Sequence, residues 1–450
     1  MHFVKATSVI NAFRCFAAVC CLVLLFVGIC SAFKPRRELS LRGKIEQIVV
    51  EGETSSFQYV LAANNGERYQ LITSQALAEY AHQEVTVAGT SVADNKFIVN
   101  NQIKAEKTKI AELPAPTFGS RKVLVLLVNF PDMQTQPLSV EQARAKVFKN
   151  ATSPNEYFRA ASLNRYSLTG IQREDGDVFG WLTIPISSSN CHLATTEWTR
   201  LADMAAQDNG INVLNYNSII YVFSRAICGA EAYGTLGQIG NPNTNERSWF
   251  SASSFTNTGI LIHELGHNLG LEHANGIYCN DTNIPNNCRV LEYGDPFDPM
   301  GGTILFFFNN HYRLALGWLS GQIQTVTTSG DYTLFAPSLP SKSSQILLVP
   351  LKDKTGQLTA YDYVLEFRRP FSFDNQFRSP VHSGVSIRRV LRGNNGYETQ
   401  LIDTTPNTPT FNDAPLAVGR SFVDAAHGVT ITTLSANPMF GARVRIQISR

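Results

Sequence analysis

Three of the nine histidines of this chain fall within eleven positions, His263-Glu264-Leu265-Gly266-His267-Asn268-Leu269-Gly270-Leu271-Glu272-His273. In an α-helix, residues four apart project from nearly the same azimuth, so His263 and His267 would present two imidazoles to one point. Leu261, Leu265 and Leu269 then form the stripe that faces a core. Glu264 stands beside the first imidazole, where a carboxylate can reach a metal-bound water without ligating the metal itself. His273 lies beyond the helical face, so the chain must bend first, and Gly270 is the residue able to take positive φ and end the helix. Three imidazoles leave one tetrahedral position open for water, as in a catalytic rather than a structural zinc site. A bare His-x-x-x-His pair would more often be an ordinary solvated pair; the full string satisfies a far more demanding pattern.

The chemistry expected of these parts is peptide hydrolysis with one catalytic zinc ion. The metal acidifies water and polarises the scissile carbonyl; Glu264 takes the water proton and passes it to the leaving amine. No covalent intermediate is needed. The chain has no Gly-x-Ser-x-Gly elbow for a serine hydrolase, and its cysteines suit disulfides better than a thiol nucleophile.

The string His-Glu-x-x-His-x-x-Gly-x-x-His resembles the signature of metzincin metallopeptidases, which also place a Met-turn beneath the metal. Asp298-Pro299-Met300-Gly301-Gly302 fits that turn, with Met300 as its methionine. The wording Tyr293-Gly294-Asp295-Pro296-Phe297-Asp298-Pro299-Met300-Gly301, followed by His311-Tyr312-Arg313-Leu314-Ala315-Leu316-Gly317-Trp318-Leu319, is similar to the gametolysin family within that clan. So are the regions Asn155-Glu156-Tyr157-Phe158 to Ser167-Leu168-Thr169-Gly170 and Leu401-Ile402-Asp403 to Val418-Gly419, so the likeness covers most of 120–450. It implies a secreted metalloendopeptidase with a metzincin-type α/β zinc-peptidase domain, acting on extracellular-matrix or cell-wall glycoproteins. Some gametolysin-like enzymes carry Gln at the first ligand position, where this chain has His263. Other metzincins place an extra tyrosine ligand two residues after the Met-turn methionine; here that position is Gly302, so no tyrosine ligand is assigned, and Tyr312, a candidate to reach the oxyanion, is expected instead to be a packed aromatic.

The elements around the string predict a multidomain α+β chain. Its 450 residues allow about three folded units. Residues 1–32 read as a signal peptide, with an apolar run from Phe16 ending in Cys30-Ser31-Ala32; an N-terminal membrane anchor is the alternative. No stable membrane insertion is expected once it is removed. Residues 33–115 predict an OB-like β-barrel from strands at Leu41–Val50, Phe57–Ala63, Glu67–Ile72, Glu84–Thr90 and Lys96–Lys104, with a helix over Ser74–Ala81 and a turn at Glu51-Gly52. Ahead of a peptidase such a module looks like a propeptide. It has no cysteine to block a zinc ion, and Arg36-Arg37 and Arg121-Lys122 are dibasic candidates for processing.

Residues 116–325 predict the catalytic domain, with buried strands at Val123–Val128 and Ile219–Phe223 and helices opened by the capping patterns at Ser139 and Ser153. Residues 326–450 predict a β-sandwich, where Val444, Ile446 and Ile448 alternate with Arg443, Arg445 and Gln447.

Cys191, Cys228, Cys279 and Cys288 remain after the signal, enough for two disulfides in an oxidising compartment; three connectivities are open, with Cys279–Cys288 favoured as a local staple. Asn150 and Asn280 head glycosylation sequons. A formal charge of +2 argues against nucleic acid as a partner. Asp403, Asp413 and Asp424 are acids of the kind that bind calcium, but nothing in their spacing supports it. The competing functional reading is a non-catalytic secreted protein that binds surface or matrix material through its β modules, its zinc fold a relic. The intact His263, Glu264, His267 and His273 argue against it.

Overall fold

The computed structural model describes residues 38–52, 54–105, 116–241, 244–279, 288–319, 322–337, 343–376, 381–392, 398–408 and 410–449. The expected signal peptide, Arg36-Arg37 and the Asn280 sequon lie outside the described residues. Among the described residues no helix is long and apolar enough to cross a membrane.

Strands β1 (Leu39–Val50), β2 (Ser56–Ala63), β3 (Arg68–Ile72), β4 (Glu84–Val92) and β5 (Lys96–Ala105) close a five-stranded barrel. Its order is β1-β2-β3-β5-β4 and back to β1, with β3 and β5 the parallel pair. This is the barrel expected from the strand order, filled by Ile45, Leu61, Val85, Val87 and Phe97. The helix expected over Ser74–Ala81 is not there: only one 3₁₀ turn forms, Ala78–Tyr80. That turn buries no residue and Leu77 offers it no side-chain cap, so neither packing nor capping supports a longer helix.

The central region is built on β6 (Gly119–Asn129), whose segment 123–128 is fully buried. Val123, Val125 and Leu127 face one core, shared with α1 (Val140–Arg144), α2 (Pro154–Ala161) and the histidine-bearing helix. Leu124, Leu126 and Val128 face another, with Trp198 and with Ala202 and Ala206 of α3 (Thr199–Asp208). A strand buried on both faces by helices is the reason the run is continuously apolar. Both predicted caps form: Ser139 and Gln142 make a reciprocal capping box, and Ser153 accepts from the Glu156 backbone ahead of Pro154. Beside β6 lie β7 (Tyr166–Thr169) and β8 (Asp177–Thr183) on one side, then β9 (Ser218–Phe223), β10 (Ala232–Thr235) and β11 (Glu246–Ser251) in the order β9, β11, β10 on the other. All pairings within this set are parallel except that of β10. The dibasic pair Arg121-Lys122 sits inside β6 with Arg121 buried, so the folded chain does not offer it as a cleavage loop.

Two joints tie this region to its neighbours. First, β1 of the barrel pairs antiparallel with β10, at Ile48 with Thr235, Val49 with Gly234 and Val50 with Tyr233. Beside that joint Glu46 is buried between two guanidinium groups, 2.6 Å from Arg68 and 2.9 Å from Arg247. Second, β12 (Ala274–Tyr278), which begins immediately after His273, pairs antiparallel with β13 (Arg289–Leu291) and parallel with Thr399–Ile402. The eight-stranded sheet of the C-terminal region therefore extends back across residue 325 to include β12, β13 and Gln322–Thr325. A four-stranded sheet covers it, and Leu347, Val349, Ile387, Ile431, Val444 and Ile446 share the core between them. Arg388 of the larger sheet is buried, its Nε 2.8 Å from Asp295 and its Nη1 bonded to Glu366.

Arg388→Met should strand the buried carboxylates of Asp295 and Glu366 and cost about 3–5 kcal/mol, read as a fall in urea unfolding free energy. Burial alone would raise the Glu46 carboxyl, but Arg68 and Arg247 outweigh it and hold it at about 2. Its stabilising contribution is thus full above about pH 4.5, the unfolded value, and is lost as pH falls toward 2. Unfolding midpoints measured from pH 5 to pH 2 should show that loss, and Glu46→Gln should flatten this part of the profile.

Candidate metal centre

The helix α4 (Thr258–Asn268) carries the first two histidines and is buried from Gly259 onward. Asn257 caps it, accepting from the Gly259 N–H at 2.9 Å. Its other end is pinned by Asn268, whose amide donates to the Thr235 and Arg247 carbonyls, each at 3.0 Å, and accepts from Ser218 and Ser248. Four hydrogen bonds to three strands fix the rotation of the helix about its axis. At Gly270 φ is +92°, the chain turns, and His273 comes back to the face that holds His263 and His267. A Cβ there would also meet the Ile239 backbone nitrogen at 2.8 Å.

The three imidazoles share one arrangement. His263 Nδ1 donates to the Pro299 carbonyl at 2.7 Å, His267 Nδ1 to the Leu271 carbonyl at 2.7 Å, and His273 Nδ1 to Glu292 Oε1 at 2.9 Å. With Nδ1–H engaged, each neutral ring keeps its lone pair on Nε2. All three Nε2 atoms point at one place, where they meet a fourth donor absent from the sequence reading. Glu51 Oε1 lies 3.4 Å from His263 Nε2, 3.1 Å from His267 Nε2 and 3.3 Å from His273 Nε2. His263 Nε2 and His267 Nε2 are 3.2 Å apart.

Lone pairs and a carboxylate gathered in this way repel unless a cation or protons stand between them. A tetrahedral ion about 2.1 Å from imidazole nitrogens separates its ligands by about 3.4 Å. The four distances above match such edges, and all four donor atoms lie within 4.8 Å of one another. The donor set therefore fits a divalent metal. Among the described residues it is the one cluster of this kind.

The surroundings are organised for the same point. Met300 is fully buried beneath α4, in a turn held by Asp298, which accepts from the Met300 N–H at 2.8 Å and the Asn309 N–H at 2.5 Å. A Cβ at Gly266 would lie 2.4 Å from the Met300 sulfur, so the helix can rest on the methionine only where it has no side chain. Glu264 is buried beside His263, and its Oε2 has no hydrogen-bond partner. Burial, then the charge of Glu51, pushes its carboxyl well above the usual range. A cleft of about 280 Å³ opens next to it, bordered by Ala230, Ala232, Ile260 and Thr303.

Tyr293 has a place here that its position in the sequence does not indicate. Its hydroxyl donates to Glu51 Oε2 and its ring lies 4.4 Å from that of His273. Tyr312, as expected, is a packed aromatic, fully buried with its hydroxyl on the Glu272 carbonyl. Disulfides join Cys191 to Cys228 and Cys279 to Cys288, and none of these sulfurs belongs to the imidazole cluster. Asn150 is exposed, as a glycosylated residue must be. Asp424 is occupied by Tyr363 and His427, and Asp403 and Asp413 by threonines, and these acids form no metal cluster. A scan against protein-family models and a search of curated proteins each find no match to the chain.

Glu292 orients His273 from the side remote from the shared point. Glu292→Gln should weaken metal binding about 10- to 100-fold in a competitive chelator titration, whereas removing any one imidazole should weaken it more.

Proposed function

We propose that this chain is a secreted zinc-dependent metalloendopeptidase. The observation that carries the reading is the convergence of His263, His267 and His273 Nε2 beside a buried Glu264 oxygen that nothing else uses. Three histidines with one further position suit zinc, and a bound zinc ion would supply Lewis-acid polarisation of a peptide carbonyl and a water acidic near neutrality.

The protein's own groups do the rest. Glu264 Oε2, without a partner of its own, accepts the proton of the attacking water and delivers it to the amide nitrogen as the C–N bond breaks. The Glu51 carboxylate now in the centre stands in for the two oxygens of the attacked carbonyl carbon. By that correspondence the Tyr293 hydroxyl, which meets Glu51 Oε2, donates to the oxygen that gains charge. The cleft bordered by Ala230, Ala232 and Ile260 favours an apolar side chain beside the scissile bond. Two disulfides support an oxidising, extracytoplasmic setting. The likeness to gametolysins supports an extracellular-matrix or cell-wall protein as substrate.

Casein cleavage tests this, assayed with the barrel in place and after the barrel has been cut from the chain and removed. Phenanthroline should stop the cleavage, and Glu264→Ala should lower kcat about 10²- to 10⁴-fold. Tyr293→Phe should lower kcat about 10²-fold with little change in KM. Cleavage indifferent to the chelator, or undiminished in Glu264→Ala, would reject the mechanism.

A further inference from the structure

Glu51 has no task in the hydrolysis just described, yet one of its oxygens lies within 3.4 Å of all three Nε2 atoms. It belongs to the barrel, 212 residues before His263, and it reaches the centre because β1 runs along the edge strand β10 and ends there. We propose that the barrel is an intramolecular plug: Glu51 is the fourth ligand of the metal, occupies the position the attacking water needs, and keeps the intact chain latent. The proposal rests on the peptidase reading and supplies its missing control.

Three features make this a built contact rather than a chance approach. Both carboxylate oxygens are engaged, Oε1 by the imidazoles and Oε2 by Tyr293. The loop that follows is fastened too, since the Ser55 N–H donates to Glu292 Oε2 at 3.0 Å and the Ser55 hydroxyl to Glu292 Oε1. Glu292 thus holds the plug with one set of contacts and His273 with another. Finally, β1 covers the free edge of β10, so the same strand closes the backbone edge leading to the metal.

The barrel is also made to separate. It has its own core, and of its apolar residues only Ile48 and Val60 join the fully buried core of the central region. Val50 packs against that core while only partly buried, and polar contacts stand beside these three: the β1–β10 pairing, Glu46 with Arg247, Arg68 with the Thr195 carbonyl and Asn95 with Glu197. A nick between β5 and β6 leaves all of these in place, so activation requires the barrel to depart.

The test uses the full chain loaded with cobalt(II), whose visible absorption reports its ligands, and acetohydroxamate as a probe of the open position. A plug open about 1% of the time weakens the apparent affinity for the probe about 100-fold. Wild type should respond weakly, and Glu51→Ala should change its cobalt spectrum and bind the probe about 100-fold more tightly. Glu51→Gln, which keeps the volume of the side chain, should respond in the same direction and is read in its place should the alanine variant not fold. Equal probe affinity in wild type and both variants overturns the plug, as does failure of every form to bind cobalt. Casein cleavage by the variants separates the two claims: variants that admit the probe but cut nothing sustain the plug and reject the peptidase.

Discussion

Four electron-pair donors aimed at one point cannot stay together unless positive charge stands among them. Much of the polar construction around α4 works against that repulsion. The Pro299 and Leu271 carbonyls and the Glu292 carboxylate each engage an Nδ1, which leaves the three Nε2 lone pairs no choice of direction. Asn268 fixes the helix that bears two of them, and Met300 sets its height. These contacts are all made within the protein, so the direction of each lone pair is set by the fold itself.

The centre is also where two sheets meet. The first two ligands ride on a helix packed against the central sheet, and the third precedes a strand that is paired into the C-terminal sheet. The turn bearing Met300 is held by Asp298, and neighbouring Asp295 is anchored by Arg388 from that same C-terminal sheet. The C-terminal region is therefore part of the scaffold that brings His273 to the other two imidazoles. Its Arg388, through Asp295, ties the segment that leads to Met300 to the sheet that β12 joins after His273.

How much of this the sequence displays follows from how local each determinant is. The ligand pair on α4 is legible because a helix turns spacing into geometry, and the bend at Gly270 because only certain residues adopt its φ. The barrel is legible from alternation and turns, strand by strand. Its single internal helix is not, since a helical cast over eight residues needs a buried face that Ala78–Tyr80 lacks. Glu51, Glu292 and Tyr293 were illegible for a different reason. Glu51 sits at an ordinary-looking Glu-Gly turn, and only the pairing of β1 with β10, far apart in sequence, brings it to the imidazoles. The pairing of β12 with Thr399–Ile402 likewise has no local signature.

A carboxylate is a modest choice for closing such a centre. Residues 33–115 contain no cysteine, so the stronger thiolate ligand is absent from the barrel. An isolated carboxylate would exchange readily with water, and closure must come from the tether. A docked barrel holds Glu51 at high effective concentration, so a weak ligand stays bound while the docking lasts and is lost with it. The strength of the block then resides in the Glu46–Arg247 pair, the shared strand edge and the Ser55–Glu292 clasp, not in the metal bond. This separates two demands that a strong ligand would set against each other. The centre can be shut firmly, and its metal need not surrender a tightly held group when the barrel leaves.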